Sequence, residues 1–389
     1  MKFLNFILAK IVIFFIKIYQ FTLSPDKWLP SLWLKGKICV HKPHCSKYSI
    51  QVLNRFGFYP WIFKVMERVW SCHPWNPNTY DPSHYKIVFL SSAAIWVNFL
   101  KELYENKNYE IVWVVTQEDK AVWRWMKIKE NIIKKEAKKL WVENIFTPNK
   151  INPQKSKEWQ DFYNKIQELE PDFLVVIAYG KIIPIDILNI PKKWAINIHW
   201  SILPKYRGAS PIQSVLLNNE KETGITIMKM NEWMDTWNII KIMKFDIEFD
   251  WNALDIINKM QNDWPKFFSE YLYKYWKWEL IEQEQNDKEA IYCKKIQKED
   301  WHIEPWKDSL REIYNKYRWY YLWPKIFFIH NWKRFIIENL KIDKTLFEKN
   351  KMESLISNNN ELNESIKEIW IKPEGKKTIS YNEFKANYL

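Results

Sequence analysis

The sequence predicts an α/β protein whose central domain is a doubly wound parallel sheet. Continuous apolar runs at residues 85–90 and 172–178 are typical of strands that are buried on both faces. These runs alternate with helical stretches such as residues 94–104, as expected for a layered α/β sheet. A change to short strands from residue 290 onwards predicts a smaller β-rich domain at the C-terminal end.

Residues 1–23 are apolar apart from Lys2, Lys10, Lys17 and a few polar side chains. Lys10 interrupts the roughly 20 apolar residues that a membrane-spanning helix needs, and no small-residue cleavage site follows as in a signal peptide. The three lysines recur at about two turns and lie near one side of a helix. We therefore expect an interfacial helix on an anionic membrane surface, with a single-pass anchor as the alternative.

The next stretch carries short motifs in a fixed order: Tyr19-Gln20, Ser24-Pro25, Cys39-x5-Cys45-Ser46-x-Tyr48, Phe56-Gly57, Cys72-His73-Pro74 and Tyr80-Asp81-Pro82. These motifs resemble the YidD family of membrane protein insertion efficiency factors over about residues 5–83. The chain departs from that family at Asn78-Thr79, where two glycines are usual. The resemblance implies a cytoplasmic protein that is peripherally attached to the inner face of the plasma membrane and assists membrane protein insertion.

Cysteine and histidine side chains in this region offer an alternative interpretation as zinc ligands. They are Cys39, His41, His44, Cys45, Cys72 and His73. No CxxC pair is present to set tetrahedral ligand spacing, so we predict no metal site.

The central domain continues with strands predicted at residues 110–116 and 241–249 and a long helix at 251–275. No G-x-G-x-x-G follows the first strand, so the sheet is not predicted to bind a dinucleotide. The charged segment 282–289 is predicted to be a linker. Beyond it we expect short strands at 327–330, 334–337 and 369–371, and a loop insertion at 355–363.

Asn197 and His199 follow a short apolar run, at a position where parallel sheets usually display reacting groups. Asp235 lies 36 residues beyond His199, far enough for one crossover helix and a return strand. A carboxylate beside a histidine holds its tautomer and raises its basicity, and a nearby amide donates to a developing oxyanion. The pattern predicts acid–base chemistry on a carbonyl compound.

A longer string surrounds these residues: Asn197-Ile198-His199, Ser201-Ile202-Leu203-Pro204, Tyr206-Arg207-Gly208-Ala209, Pro211-Ile212-Gln213, Glu222-Thr223-Gly224 and Met234-Asp235-Thr236. In order and spacing it resembles the methionyl-tRNA formyltransferases. The resemblance implies formyl transfer from the cosubstrate 10-formyltetrahydrofolate to initiator methionyl-tRNA, without a metal. It makes Asn197, His199 and Asp235 catalytic, and it assigns to folate binding Ser201, Ile202, Leu203, Pro204 and, from Ala178-Tyr179-Gly180, Tyr179.

The resemblance also implies tRNA-binding residues. The loop at 116–127 resembles the loop of that family that wedges against the acceptor stem, and it contributes Arg124 and Lys127. Arg207 is the third tRNA-binding prediction. The closing motif Lys372-Pro373-Glu374-Gly375-Lys376-Lys377-x3-Tyr381-x2-Phe384 resembles the end of the family's C-terminal open β-barrel, an OB-like domain that grips tRNA.

Composition adds two facts. The net charge of +13 and the pI near 9.2 indicate an anionic partner. The chain has 25 tryptophans and six glycines, whereas glycine usually makes up about 7% of residues. Several tryptophans stand where a turn favours glycine, Trp332 after Asn331 among them. We hypothesise that most are glycines in the cell, encoded by an opal codon that the source organism reads as glycine.

We therefore expect a monomer with three domains: a membrane-associated domain at 1–84, a formyltransferase domain at 85–285 and a tRNA-binding β-barrel at 286–389. Three alternatives stay open at this point. The enzyme acts on another amine, such as a nucleotide or sugar amine; or the chain is an insertion factor with a passenger enzyme domain; or the two parts are a mistaken join of two genes.

Overall fold

A computed structural model of the chain describes residues 2–22, 41–71, 79–80, 82–122, 127–149, 156–277, 279–297, 299–321 and 324–389. The chain divides into two compact units, residues 1–87 with 103–112 and residues 88–102 with 113–389. The domain boundaries predicted after residues 84 and 285 stay predictions. Cys39, Cys72, His73 and Arg124 lie outside the described residues.

The helices are α1 (Lys2–Thr22), α2 (Cys45–Phe56), α3 (Phe58–Trp70), α4 (Val97–Glu105), α5 (Ile132–Lys139), α6 (Lys157–Leu169), α7 (Ile185–Leu188), α8 (Pro211–Leu217), α9 (Ala253–Trp276), α10 (Leu310–Trp319), α11 (Lys344–Asn350) and α12 (Tyr381–Tyr388). The strands are β1 (His41–Lys42), β2 (Thr79–Tyr80), β3 (Tyr85–Ser91), β4 (Tyr109–Val115), β5 (Lys120–Val122), β6 (Lys127–Lys129), β7 (Ile145–Phe146), β8 (Phe173–Ile177), β9 (Trp194–His199), β10 (Arg207–Gly208), β11 (Glu222–Lys229), β12 (Ile239–Asp246), β13 (Tyr292–Cys293), β14 (Phe327–His330), β15 (Lys333–Ile342), β16 (Ile366–Pro373) and β17 (Ile379–Ser380).

The first unit contains α1, α2 and α3. Gly57 separates α2 from α3 with φ of 85°, and a Cβ atom there would lie 2.1 Å from the Asn5 side chain. Asn5 of α1 uses this close approach: its Nδ2 donates to Phe56 O at 3.3 Å, and its Oδ1 accepts from Tyr59 N at 2.9 Å. One polar side chain therefore fixes α1 on the turn between the other two helices.

Among the described residues, seven strands form the main sheet in the order β12-β11-β9-β8-β3-β4-β7. The pairs β8/β9 and β4/β7 are parallel, and strand β8 is buried along its whole length. The predicted α/β fold with a parallel sheet is confirmed. The return strand β11, however, runs antiparallel to both of its neighbours, β9 and β12. This edge of the sheet is therefore antiparallel.

The C-terminal part contains an antiparallel sheet in the order β14-β15-β16-β17. Helix α12 closes it, because Phe384 packs against Phe328 and Phe335 with ring centroids 5.7 and 5.0 Å apart. This sheet confirms the predicted β-rich domain, although β15 and β16 extend beyond the predicted runs. Residues 355–363 form a loop, as predicted, and this loop buries Leu355 and Ile356.

Candidate active site

Strand β9 places Asn197 and His199 on one face of the main sheet. Alternate residues of a strand share a face, so the neighbouring Ile196 and Ile198, both buried, belong to the opposite face. His199 is opposite Thr226 of β11, and Asn197 is paired on both sides, with Met228 of β11 and with Val176 of β8. The strand therefore fixes both polar side chains at its carboxyl end.

Asp235 lies on the loop between β11 and β12. Its carboxylate Oδ1 accepts from Asn197 Nδ2 at 3.3 Å, and its Oδ2 accepts from the backbone N–H of Gly208 at 2.9 Å. The same Oδ2 lies 3.4 Å from His199 Nδ1, and the two side chains are only 5% and 10% exposed. The structure thus brings the predicted Asn197, His199 and Asp235 together.

Both ring nitrogens of His199 face acceptors. Nδ1 faces the Asp235 carboxylate, and Nε2 lies 2.8 Å from the carbonyl oxygen of Tyr206. A neutral imidazole has one N–H donor, whereas an imidazolium has two. A neutral ring therefore satisfies one of these two acceptors, and an imidazolium would satisfy both.

Four of the five residues predicted to bind folate, Ser201 to Pro204, form the turn that follows β9. Ser201 and Leu203 are buried, and they are fixed by Thr226, whose Oγ1 donates to Ser201 O at 2.7 Å and accepts from Leu203 N at 3.2 Å. Ile202 and Pro204 are half-buried. Of these four residues, Ile202 and Pro204 have side-chain surface that a ligand could contact. The side chains of Ser201 and Leu203 are buried, so these two residues shape the turn through their backbone.

Tyr179 lies in the loop that follows β8, the strand next to β9 in the sheet. Its carbonyl oxygen accepts from Ser92 Oγ at 2.9 Å and from Gln117 Nε2 at 3.0 Å. Its hydroxyl is buried and has no hydrogen-bond partner among the described residues, and burial raises the pKa of this hydroxyl. A buried orphaned hydroxyl is costly, which is consistent with a ligand contact at this loop.

The predicted tRNA-binding residues have different surroundings. Lys127 begins β6, which pairs with β5 in the antiparallel direction, and Arg124 lies outside the described residues. Arg207 is 1% exposed, and its guanidinium donates to Gln285, Tyr292 and Asp287 at 3.0, 3.1 and 2.8 Å. A direct tRNA contact by Arg207 stays a prediction, and it requires these bonds to open.

The sequence did not single out Gln285 or the Gly208 N–H. Gln285 lies in the charged segment that was predicted to be a linker, where no motif distinguishes it from Gln283. Gly208 belongs to the motif Tyr206-Arg207-Gly208-Ala209, but the direction of a backbone N–H cannot be read from a sequence. In the part of the chain that the structure describes, no group of three His, Cys, Asp or Glu side chains is arranged to hold a metal ion.

Comparisons with known proteins match both parts of the chain. The family model for formyl transferases matches residues 85–272, and the YidD model, "Putative membrane protein insertion efficiency factor", matches residues 8–84. A solved methionyl-tRNA formyltransferase from Clostridium thermocellum aligns with 17% identity and a TM-score of 0.45, over 67% of this chain and 94% of that one.

Two curated relatives are closer in sequence. The methionyl-tRNA formyltransferase of Caldanaerobacter subterraneus subsp. tengcongensis is 36% identical over 260 residues, which are 65% of this chain and 82% of the relative. The methionyl-tRNA formyltransferase of Pelagibacter ubique is 36% identical over 303 residues, which are 77% of this chain and 94% of the relative. The chain therefore belongs to the methionyl-tRNA formyltransferase family.

Proposed function

We propose that this chain transfers the formyl group of 10-formyltetrahydrofolate to the α-amine of methionyl initiator tRNA. The observation that carries the proposal is the cluster of Asn197, His199 and Asp235 at the end of β9. The relatives bear the name of this activity, and the net charge of +13 suits a tRNA partner. Arg124, Lys127 and Arg207 are the proposed tRNA contacts.

The reaction forms one C–N bond and breaks another. The methionyl nitrogen bonds to the formyl carbon, the bond from that carbon to N10 of the folate breaks, and the proton lost by the amine passes to the folate nitrogen. Charge builds on the formyl oxygen during attack, so the site needs donors aimed at that atom.

Asn197 is the first such donor. One hydrogen of its amide goes to Asp235, and no described residue accepts the other. His199 is the second donor, and it reaches substrate when its Nε2–H exchanges the Tyr206 carbonyl for the formyl oxygen. Asp235 keeps the ring oriented and, with water, moves the proton. The turn at 201–204 and Tyr179 form the proposed folate-side wall.

Formyl transfer by purified variants tests this proposal. With 10-formyltetrahydrofolate and methionyl initiator tRNA, we expect Asp235→Asn to lower kcat about 10³-fold and Asn197→Ala about 10²-fold. Asn164→Ala is the control, because that side chain is exposed on α6 and bonds to Gln160 of the same helix, and it should keep full activity. Wild-type turnover by Asp235→Asn would refute the site. Formylation of an amino-sugar nucleotide in place of the tRNA would refute the acceptor.

We also infer that residues 2–22 attach the enzyme to an anionic membrane on its cytoplasmic side. Helix α1 buries Ala9 but leaves Phe14, Phe15 and Phe21 between 61% and 83% exposed. The segment Leu4–Thr22 has a mean hydropathy of 1.7 and is long and apolar enough to cross a membrane. Lys10 and Lys17 on this helix favour an interfacial position near anionic headgroups.

Vesicle flotation tests this attachment. We expect the full chain to float with anionic vesicles, to float less with neutral ones, and to be released by an alkaline carbonate wash. Phe14→Glu with Phe15→Glu should abolish flotation without loss of formyl transfer. Resistance to the wash would instead identify α1 as a spanning anchor, and no flotation at all would refute membrane binding.

A further inference from the structure

The segment between α9 and the C-terminal sheet is fixed along the active-site edge. Gln283 pairs with Ile239 of β12 through both backbone bonds at 2.8 Å. Further along the same segment, Tyr292 and Cys293 pair in parallel with Arg207 and Gly208. The segment predicted to be a linker is therefore attached to the main sheet at one end and to β10 at the other.

Gln285 lies between these two attachments and contacts the loop that carries Asp235. Its Nε2 donates to the carbonyl oxygen of Asp235 at 3.0 Å and to that of Trp237 at 2.6 Å. Asp235 has a φ of 57°, a left-handed conformation that costs a residue with a side chain about 1–2 kcal/mol. Such a conformation persists only where the surroundings hold it, and Gln285 supplies two bonds that do so.

Arg207 sets the orientation of the Gln285 amide. Its Nε donates to Gln285 Oε1 at 3.0 Å, so the NH₂ group of that amide must face the two loop carbonyls. The guanidinium is held in turn by Asp287 and Tyr292. The next residue, Gly208, donates its backbone N–H to Asp235 Oδ2. Gln285 thus holds the backbone of Asp235, and Gly208 of β10 holds its carboxylate.

We propose that Gln285 is a positioning residue for formyl transfer, which holds the Asp235 loop so that the carboxylate stays on His199 and Asn197. This inference rests on the proposed catalytic role of Asp235. Because a displacement of about 1 Å in a catalytic group lowers the rate about 10²-fold, loss of the two carbonyl bonds should act on kcat.

The test compares Gln285→Met and Gln285→Glu with wild type. Methionine keeps the length but donates nothing, and glutamate keeps an acceptor for Arg207 while it removes the donors. We expect both variants to lower kcat about 10- to 100-fold, with the KM of each substrate within about twofold of wild type. Gln283→Met is the control on the same segment, because the Gln283 side chain is exposed and should leave both constants unchanged.

A double variant separates positioning from a merely structural role. Added to Asp235→Asn, Gln285→Met should lower kcat no further, because residues that act as a unit are not additive. Wild-type kcat in both Gln285 variants, or a rise in the KM for tRNA alone, would overturn the inference. An active Asp235→Asn would instead refute the catalytic site itself, so the two failures are distinguishable.

Discussion

Trp332 has a backbone conformation that is unusual for a residue with a side chain. It follows Asn331 in the two-residue turn between β14 and β15, and the two φ angles are 47° and 61°. Positive φ at both central positions is the signature of a type I′ turn, in which Asn-Gly is strongly preferred. The Trp332 side chain is fully exposed, so no packing compensates for the conformation.

We therefore predict that Trp332→Gly raises the free energy of unfolding by about 1 kcal/mol, because glycine adopts this conformation without a steric penalty. Chemical denaturation of the two proteins checks this. Trp370→Gly, within strand β16, is the control and should lower stability. Equal stability of Trp332→Gly and wild type would contradict the argument.

Trp200 bears on the same hypothesis at the active site. It follows His199 and stacks on Trp96 with ring centroids 3.7 Å apart, and both side chains are buried. Neither indole N–H has a partner among the described residues, and each unsatisfied buried donor costs about 1–3 kcal/mol. Two such costs close to the proposed catalytic residue His199 favour glycine at these positions, but the recoding hypothesis stays a prediction.

Mass spectrometry of the protein from its native cell gives the direct measurement. We predict that the tryptic peptide covering residues 194–205 has the mass of glycine at position 200. The same peptide contains Trp194, whose ring lies 3.3 Å from Lys229 Nζ. Fragment ions distinguish residue 194 from residue 200, so the two positions are read separately. An intact indole at residue 200 would refute recoding there.

At the scale of elements, Glu282 anchors the start of the segment that carries Gln285. Its carboxylate accepts from Lys229 at 2.5 Å, from Tyr275 at 2.6 Å and from Asn238 at 2.9 Å. Burial acts to raise the pKa of Glu282, but the hydrogen bonds from Lys229, Tyr275 and Asn238 outweigh it and lower the pKa. Strand β11, helix α9 and the segment are joined at this carboxylate.

This depressed pKa fixes the sign of a pH effect. A carboxylate whose folded pKa lies below its unfolded value stabilises the protein above the unfolded pKa, and this contribution is lost as pH falls through the folded pKa. Glu282→Gln should therefore lower the free energy of unfolding by about 2 kcal/mol at pH 7, since it leaves Lys229 without its counter-charge. The difference from wild type should shrink as the pH is lowered through the acidic range. A difference that is constant with pH would contradict this account.

The elements also show what a sequence predicts well. Strands β3, β4 and β8 and helix α9 lie within about two residues of their predicted bounds, because long apolar runs and helical periodicity are local signals. The antiparallel direction of β11 and the fixed path of residues 282–293 are set by tertiary contacts. Asn197, His199 and Asp235 were predicted from a motif, whereas Gln285 acts through backbone carbonyls that no motif records.

At the scale of the whole molecule, Arg318 joins the C-terminal part to the catalytic sheet. This residue of α10 is 4% exposed. Its guanidinium donates to the Phe249 carbonyl at 3.1 Å, to Asn219 Oδ1 at 3.3 Å and to Asn315 Oδ1 at 2.8 Å. Asn315, also of α10, donates to the Leu217 carbonyl at 3.3 Å. Apart from the Arg318–Asn315 bond within α10, these bonds link residues about 70 to 100 positions apart, so no local sequence pattern indicates them.

We predict that Arg318→Met lowers the free energy of unfolding by about 2–4 kcal/mol, because it removes charge-assisted hydrogen bonds and leaves buried acceptors unpaired. Arg311→Met, on the same helix and half-buried, is the control and should cost less than about 1 kcal/mol. Limited proteolysis should cut Arg318→Met within residues 277–310 faster than wild type, since the C-terminal part is then less firmly held.

If the basic β domain holds tRNA only while it is docked on the catalytic sheet, the same variant will raise the KM for tRNA and leave the KM for the formyl donor unchanged. Equal proteolysis rates and an unchanged KM for tRNA would show that this docking does not depend on Arg318.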